Sequence, residues 1–131
     1  MAPAVSTPLD PRLGETEVLG RLLRLYEDEK QLYAQVLDLS RRQGEALASC
    51  APVTEVRRLL EAKRNCLTAV QNLEKSAAGP KQAWERGRGK WSAGARARLN
   101  VSLRTVAKLI EETLACEERN DQILLQQVED V

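Results

Sequence analysis

The stretch VLGRLLRLYEDEKQLYAQVLDLSRRQGEA (residues 18–46) indicates the fold class of this 131-residue chain. Apolar residues recur in it every seven positions, at Val18, Leu25, Leu32, Leu39 and Ala46. A second set keeps spacings of three and four and broadens the apolar face; it comprises Leu19, Leu22, Tyr26, Tyr33, Val36 and Leu47. The spacing predicts a long amphipathic helix over about 15–49, and the broad face predicts that it contacts two neighbours.

Two more helices are expected further along the chain. The pattern stops at Ser49-Cys50-Ala51-Pro52 and resumes over about 52–77, and a connection this short forces the two helices to be antiparallel. Ser92 is a candidate cap for a last helix over about 92–128. The fold class that we predict is all-α, an antiparallel bundle of three long helices with coiled-coil-like packing.

The predicted domain has a tail and one interruption. Residues 1–14 are rich in Pro and are expected to form a flexible tail, in which Asp10 and Pro11 are a candidate cap, and the helical domain covers 15–131. Gly79-Pro80 is expected to break the chain and to begin a loop over 78–91.

Composition narrows the classes of function. Net charge is +1, and the chain has neither a long apolar run nor a secretory signal pattern, so we expect a cytoplasmic protein without membrane insertion. Cys50, Cys66 and Cys116 show no CxxC spacing and are expected to be reduced thiols. Because His is absent, catalytic triads with His and common metal sites are excluded, and we expect no enzyme activity, no cofactor and no metal.

The segment 81–98 is strongly basic and carries both Trp residues of the chain. It contains Glu85 as its only acidic residue, against the basic residues Lys81, Arg86, Arg88, Lys90, Arg96 and Arg98. Aromatic residues among Arg and Lys are a pattern that binds single-stranded nucleic acid or an acidic peptide. The favoured interpretation is that a Trp anchors the loop on the bundle; nucleic acid binding stays a less favoured alternative.

The remaining patterns leave alternatives open. Apolar positions in excess of the core would allow self-association, including a homodimer, as in a general helical adaptor. The carboxylates of the last helix are expected to form a solvated face; they are Glu111, Glu112, Glu117, Glu118 and Asp121. Asn120 lies near the apolar face, where its amide needs a hydrogen-bond partner in the core or on a bound segment.

The segment LIEETLACEERNDQILLQQ (109–126) resembles the end of the FlgN-like flagellar export chaperones. The likeness extends in outline over nearly the whole chain: a long first helix with EDEKQLYAQVLDLSRRQGEAL, a second with RRLLEAKRNCLTAVQNLE, and a Trp-bearing break before the last. The segment between the second and last helices is more basic than is usual in that family.

The resemblance implies a cytosolic chaperone that holds the C-terminal helical region of flagellar hook-associated proteins. Such a chaperone prevents premature assembly and delivers its clients to the type III export gate. Carried over to this chain, the client-binding positions would be on the last helix, at Val106, Ile110, Leu114, Glu117, Asn120 and Leu124. No residue is assigned to the contact with the export-gate proteins.

Overall fold

The computed structural model describes residues 14–130, and within that range the chain is helical without any strand. The helices are α1 (Glu15–Ala48), α2 (Val53–Ser76), α3 (Ala78–Arg86) and α4 (Ala93–Glu129). The predicted all-α class is therefore confirmed. The bounds of the three long helices lie within one residue of the predicted bounds. Of the predicted tail, only Gly14 is among the described residues, so the candidate cap at Asp10 and Pro11 lies outside them.

The fourth helix, α3, corrects the prediction of a loop over 78–91. The chain does break at Ala77, but it resumes a helix at once. Pro80 is the third residue of α3, and the first backbone hydrogen bond of that helix joins the N–H of Lys81 to the carbonyl of Ala77. Since a backbone N–H in the first turn has no partner within the helix, proline is tolerated there. Only residues 87–92 connect α3 to α4.

Local signals explain where the long helices begin and end. At the end of α1, Cys50 has a φ of 55°, and Pro52 follows two residues later. This left-handed residue turns the chain back toward α2. Ser92 caps α4 as expected, because its side-chain oxygen accepts a hydrogen bond of 3.1 Å from the N–H of Ala95. Ser92 also donates from its N–H and its hydroxyl to Glu15, at 2.6 Å each, which joins the beginnings of α1 and α4.

Helix α1 is the element on which the other helices pack. Contacts run in opposite directions along α1 and α2, from Glu29 with Glu74 to Gln35 with Cys66. Along α1 and α4 they run in the same direction, from Glu15 with Ser92 to Leu47 with Gln127. Helices α2 and α4 both flank α1, but their backbones do not approach each other to contact distance. A gap bridged only by side chains therefore separates α2 from α4.

The main apolar cluster lies at the end of the molecule where α1 and α4 begin. Its fully enclosed members are aliphatic, and Trp84 and Trp91 pack on its edge; the buried residues are Val18, Leu19, Leu22, Leu25, Ala77, Ala83, Ala95 and Leu99. Toward the other end, α1 and α4 are held by smaller and polar residues. No helix in the described part of the chain is long and apolar enough to cross a membrane.

The close approach of α4 to α1 can be tested at two glycines of α1, Gly20 and Gly44. A Cβ on Gly44 would overlap the side-chain oxygen of Asn120, whereas a Cβ on Gly20 would meet nothing within 4 Å. Since alanine favours a helix over glycine by about 1 kcal/mol, we expect Gly20→Ala to raise the free energy of unfolding by up to about that amount. We expect Gly44→Ala to lower it by about 1–3 kcal/mol, because the buried side chain of Asn120 must move from its hydrogen bond with Ser40 or the helices must shift. Urea unfolding of both variants checks this, and equal stabilisation would contradict the packing of Gly44 on Asn120.

Candidate functional site

Three helices meet at Ser40, which is fully buried. Its hydroxyl donates to Oε1 of Glu117 at 2.5 Å, and Nζ of Lys63 donates to the same oxygen at 2.5 Å. The carbonyl of Ser40 accepts a hydrogen bond of 2.8 Å from Nδ2 of Asn120. Burial acts to raise the pKa of Glu117, but the hydrogen bonds from Lys63 and Ser40 outweigh it and lower the pKa below its ordinary value. This network bridges the gap between α2 and α4 and keeps Glu117 ionised.

Apolar side chains follow the outer rim of that gap. On α4, Leu103, Ile110 and Leu124 lie at steps of seven residues from Glu117, so they are in line with the residue that reaches α2. On α2, Leu60 precedes Lys63 by three residues and Leu67 follows it by four, so both lie on the same side of the helix as Lys63. We call this surface the α2–α4 stripe, and it consists of Leu60, Leu67, Leu103, Ile110, Leu114, Leu124 and Val128. All of these residues except the half-buried Ile110 are exposed.

Only three of the six residues expected to bind a client lie on the α2–α4 stripe. Ile110, Leu114 and Leu124 are members of the α2–α4 stripe. Val106 and Asn120 are 6% and 4% exposed and face α1, so they lie beneath the stripe and not on it. Glu117 was also expected on a solvated face; that expectation is wrong for this residue, because Ser40 and Lys63 engage it.

Sequence reasoning missed the contribution of α2 to this surface. Leu60 and Leu67 are apolar positions of the second helix, and they are 38% and 41% exposed. The available signal was Lys63, a cation among the apolar positions of the second helix. A lysine in such a position needs an anionic partner, and a partner on another helix marks where two helices face each other.

The basic segment folds around the two Trp rings. The rings of Trp84 and Trp91 are stacked with their centres 4.8 Å apart, and Nε1 of Trp91 donates to the carbonyl of Trp84 at 2.7 Å. Trp91 also packs on Gly87, where any Cβ would collide with its ring. Each ring therefore covers one face of the other, and both anchor the segment on the bundle. This agrees with the favoured interpretation, in which a Trp anchors the segment on the bundle.

A cavity of about 550 Å³ lies beside the Trp pair. Its lining joins the basic segment to the beginning of α4 and includes Tyr26, Lys81, Trp84, Trp91, Arg96 and Leu103. Because Leu103 also belongs to the α2–α4 stripe, the cavity opens onto the stripe at this end. The apolar surface and the basic segment therefore adjoin at Leu103.

A pair of carboxyl groups, the buried Glu29 and the partly exposed Glu74, lies between this cavity and Ser40. Glu29 is 4% exposed; burial, with a hydrogen bond to Glu74 and the charge of Glu74, raises its pKa to about 8. Glu74 has a lowered pKa, because it accepts from the protonated Glu29 and from Lys81. Tyr26 and Tyr33 have raised pKa values, chiefly through burial. Glu29 is therefore held in its neutral form at pH 7.

The other residues with reactive or metal-binding side chains do not form a cluster in the described part of the chain. Within residues 14–130, no group of three or more Cys, Asp or Glu is placed to hold a metal ion. The thiols of that range are unpaired: Cys50 is exposed, Cys66 is half-buried and Cys116 is buried.

Comparison of the chain with protein-family models, with curated proteins and with solved structures finds no match.

The carboxyl pair makes stability depend on pH. The pKa of Glu29 is raised in the folded state. The contribution of Glu29 to the free energy of unfolding is therefore fully present below its pKa in the unfolded chain, 4.5, and is lost as the pH rises toward about 8. We expect the free energy of unfolding to fall across this window, by at most about 1.4 kcal/mol per pH unit for one proton. In Glu29→Gln the neutral amide replaces the neutral acid, so this slope should be reduced.

Urea unfolding of both proteins between pH 5 and 8.5 measures the effect. The chain has no His, whose titration would overlap this window. An identical slope in the Gln variant and the original chain would show that Glu29 is ionised in the fold.

Proposed function

We propose that this protein is a non-catalytic bundle that holds one amphipathic helix of another protein in the α2–α4 stripe. The observation that carries the proposal is the alignment of exposed apolar residues along a gap between two helices that lack backbone contact. A bound helix would contact both walls and take the fourth place of a four-helix arrangement opposite α1. Binding of an amphipathic helix in an apolar groove is a common mode of peptide recognition.

The specific form of the proposal is a cytoplasmic flagellar type III export chaperone. Its clients would be the C-terminal helical regions of hook-associated proteins, which it would shield from premature assembly and deliver to the export-gate proteins. What supports this form is the resemblance of residues 109–126 and of the helix layout, and the presence of Ile110, Leu114 and Leu124 on the stripe.

Self-association through the same surface is the second candidate. The exposed apolar residues that favour a client helix would equally be covered by a second copy of this chain. The two candidates differ in a simple observable, because a homodimer would form in the purified protein alone.

A pair of substitutions on α4 tests the stripe. Leu114 and Val101 are both 64% exposed, but Val101 lies outside the stripe on another side of the helix. We expect Leu114→Asp to weaken binding of a hook-associated C-terminal helix by about 2 kcal/mol or more, since a charge would have to be buried in the complex. Val101→Asp should leave the affinity unchanged.

Isothermal titration of the purified proteins gives the affinities, and circular dichroism checks that both variants fold. Equal loss in the two variants would contradict the placement of the site on the stripe. Absence of any binding of hook-associated helices to the unaltered chain would overturn the flagellar form of the proposal.

A further inference from the structure

The charges of α4 are divided between its two halves. From Ala93 to Lys108 the helix carries the basic residues Arg96, Arg98, Arg104 and Lys108 and no acidic residue. From Leu109 onward it carries Arg119 as its only basic residue, against the acidic residues Glu111, Glu112, Glu117, Glu118, Asp121 and Glu129. The N-terminal half of α4 is therefore basic and its C-terminal half is acidic.

This order is opposite to the one that stabilises a helix. The N-terminal end of a helix carries a partial positive charge and favours acidic residues, and the C-terminal end favours basic ones. In the described structure, the first turn of α4 has no acidic residue and the last turn no basic one. Helix stability therefore gives no reason for the arrangement.

Contacts within the chain do not account for it either. In the described range, only Glu112, with Arg41 at 3.9 Å, and Glu117, with Lys63, form ion pairs among the charges of α4. Helix α2, on the opposite wall, carries the basic residues Arg57, Arg58, Lys63, Arg64 and Lys75 against the acidic residues Glu55, Glu61 and Glu74, and Arg58 and Arg64 pair with Glu55 and Glu61. The separation of basic from acidic residues along the site thus comes from α4, most of whose charges form no ion pair within the described range.

Some of these charges border the α2–α4 stripe directly. Arg96 is seven residues before Leu103 and lines the cavity with it. Arg104, Glu111 and Glu118 form a row with a step of seven beside Ile110 and Leu114, and Asp121 lies seven residues after Leu114. A helix in the stripe would meet basic side chains near the Trp pair and acidic ones at the far end.

We infer that the partner helix is itself charge-segregated, with an acidic N-terminal half over Arg96 and Arg104 and a basic C-terminal half over Glu118 and Asp121. The inference rests on the proposed function and adds the chemistry and direction of the partner. Acidic residues at its N-terminus also stabilise the partner helix through its own dipole, so it runs parallel to α4. From Leu103 to Val128 the stripe is about 38 Å long at about 1.5 Å per residue, enough for a helix of about 25 residues.

The backbone alone would not decide this direction. Helices α2 and α4 run in opposite directions, so any helix between them is parallel to one and antiparallel to the other. A second copy of α4, antiparallel to the first, would also place acidic residues over the basic half of α4 and basic residues over its acidic half. However, its buried face is held on its own α1 through Val106 and Asn120, so it cannot enter the gap as a single helix can.

The test uses the full chain and a synthetic amphipathic helix of about 25 residues, with Leu on one face, Glu in the N-terminal half and Lys in the C-terminal half. One version carries a bimane fluorophore at its N-terminus and another carries it at its C-terminus. Trp quenches bimane on contact, and both Trp residues of the chain lie at one end of the stripe. We expect quenching of the N-terminal probe only.

Charge reversal supplies the matched control. Arg96→Glu should weaken binding about tenfold, whereas Arg98→Glu should not, because Arg98 lines a different depression with Glu15 and Leu19. Both changes place an acid near the start of α4, where the helix dipole favours it, so the fold is retained. Added salt should weaken binding to the unaltered chain.

The outcomes separate the two proposals. Binding with equal quenching at both ends, or with equal affinity in the two Arg variants, would overturn the inference and leave the helix-binding function in place. Absence of binding by any amphipathic helix would overturn both. A stable dimer in light scattering that dissociates on Arg96→Glu and excludes the peptide would assign the stripe to a second copy of the chain instead.

Discussion

The structure depends on the convergence of three helices at Ser40. The hydroxyl of Ser40 donates to Glu117 and its carbonyl accepts from Asn120, so Ser40 holds two residues of α4. Lys63 completes the network from α2. Because each of these groups is satisfied only when the helices are in one register, a shift by one turn would leave buried polar atoms without partners. The same network joins α2 to α4 across the gap along which the candidate site lies.

Apolar spacing was enough to predict the class of the fold and the bounds of the long helices. Apolar residues recur every seven positions from Val18 to Ala46, and that segment contains no Pro. Both features predict a helix. The prediction of a loop after Gly79-Pro80 was wrong in part, since proline ends a helix yet is compatible with the first turn of the next one. Local sequence rules do not say which of these two roles a proline takes.

The candidate site was predicted only in part, for a physical reason. Ile110, Leu114 and Leu124 were recognised as apolar positions of the last helix, but apolar periodicity does not distinguish residues that face α1 from residues that face the gap. Glu117 and Lys63 contain that information, because a charge within an apolar row must have a partner on a neighbouring helix. Asn120 was correctly expected to need a partner, and the partner is the carbonyl of Ser40. The contribution of Leu60 and Leu67 requires the relative position of two helices, which spacing within one helix cannot give.

Site-directed photo-cross-linking in the native cell tests the central claim most directly. A benzophenone side chain at position 114 would lie on the α2–α4 stripe, and the same group at position 101 would have equal exposure outside it. We expect position 114 to cross-link to one helical segment of one other protein, identified by mass spectrometry, and position 101 to give no such product. Cross-links of the same protein at both positions, or at position 114 to a second copy of this chain alone, would contradict the claim that the stripe holds a partner helix.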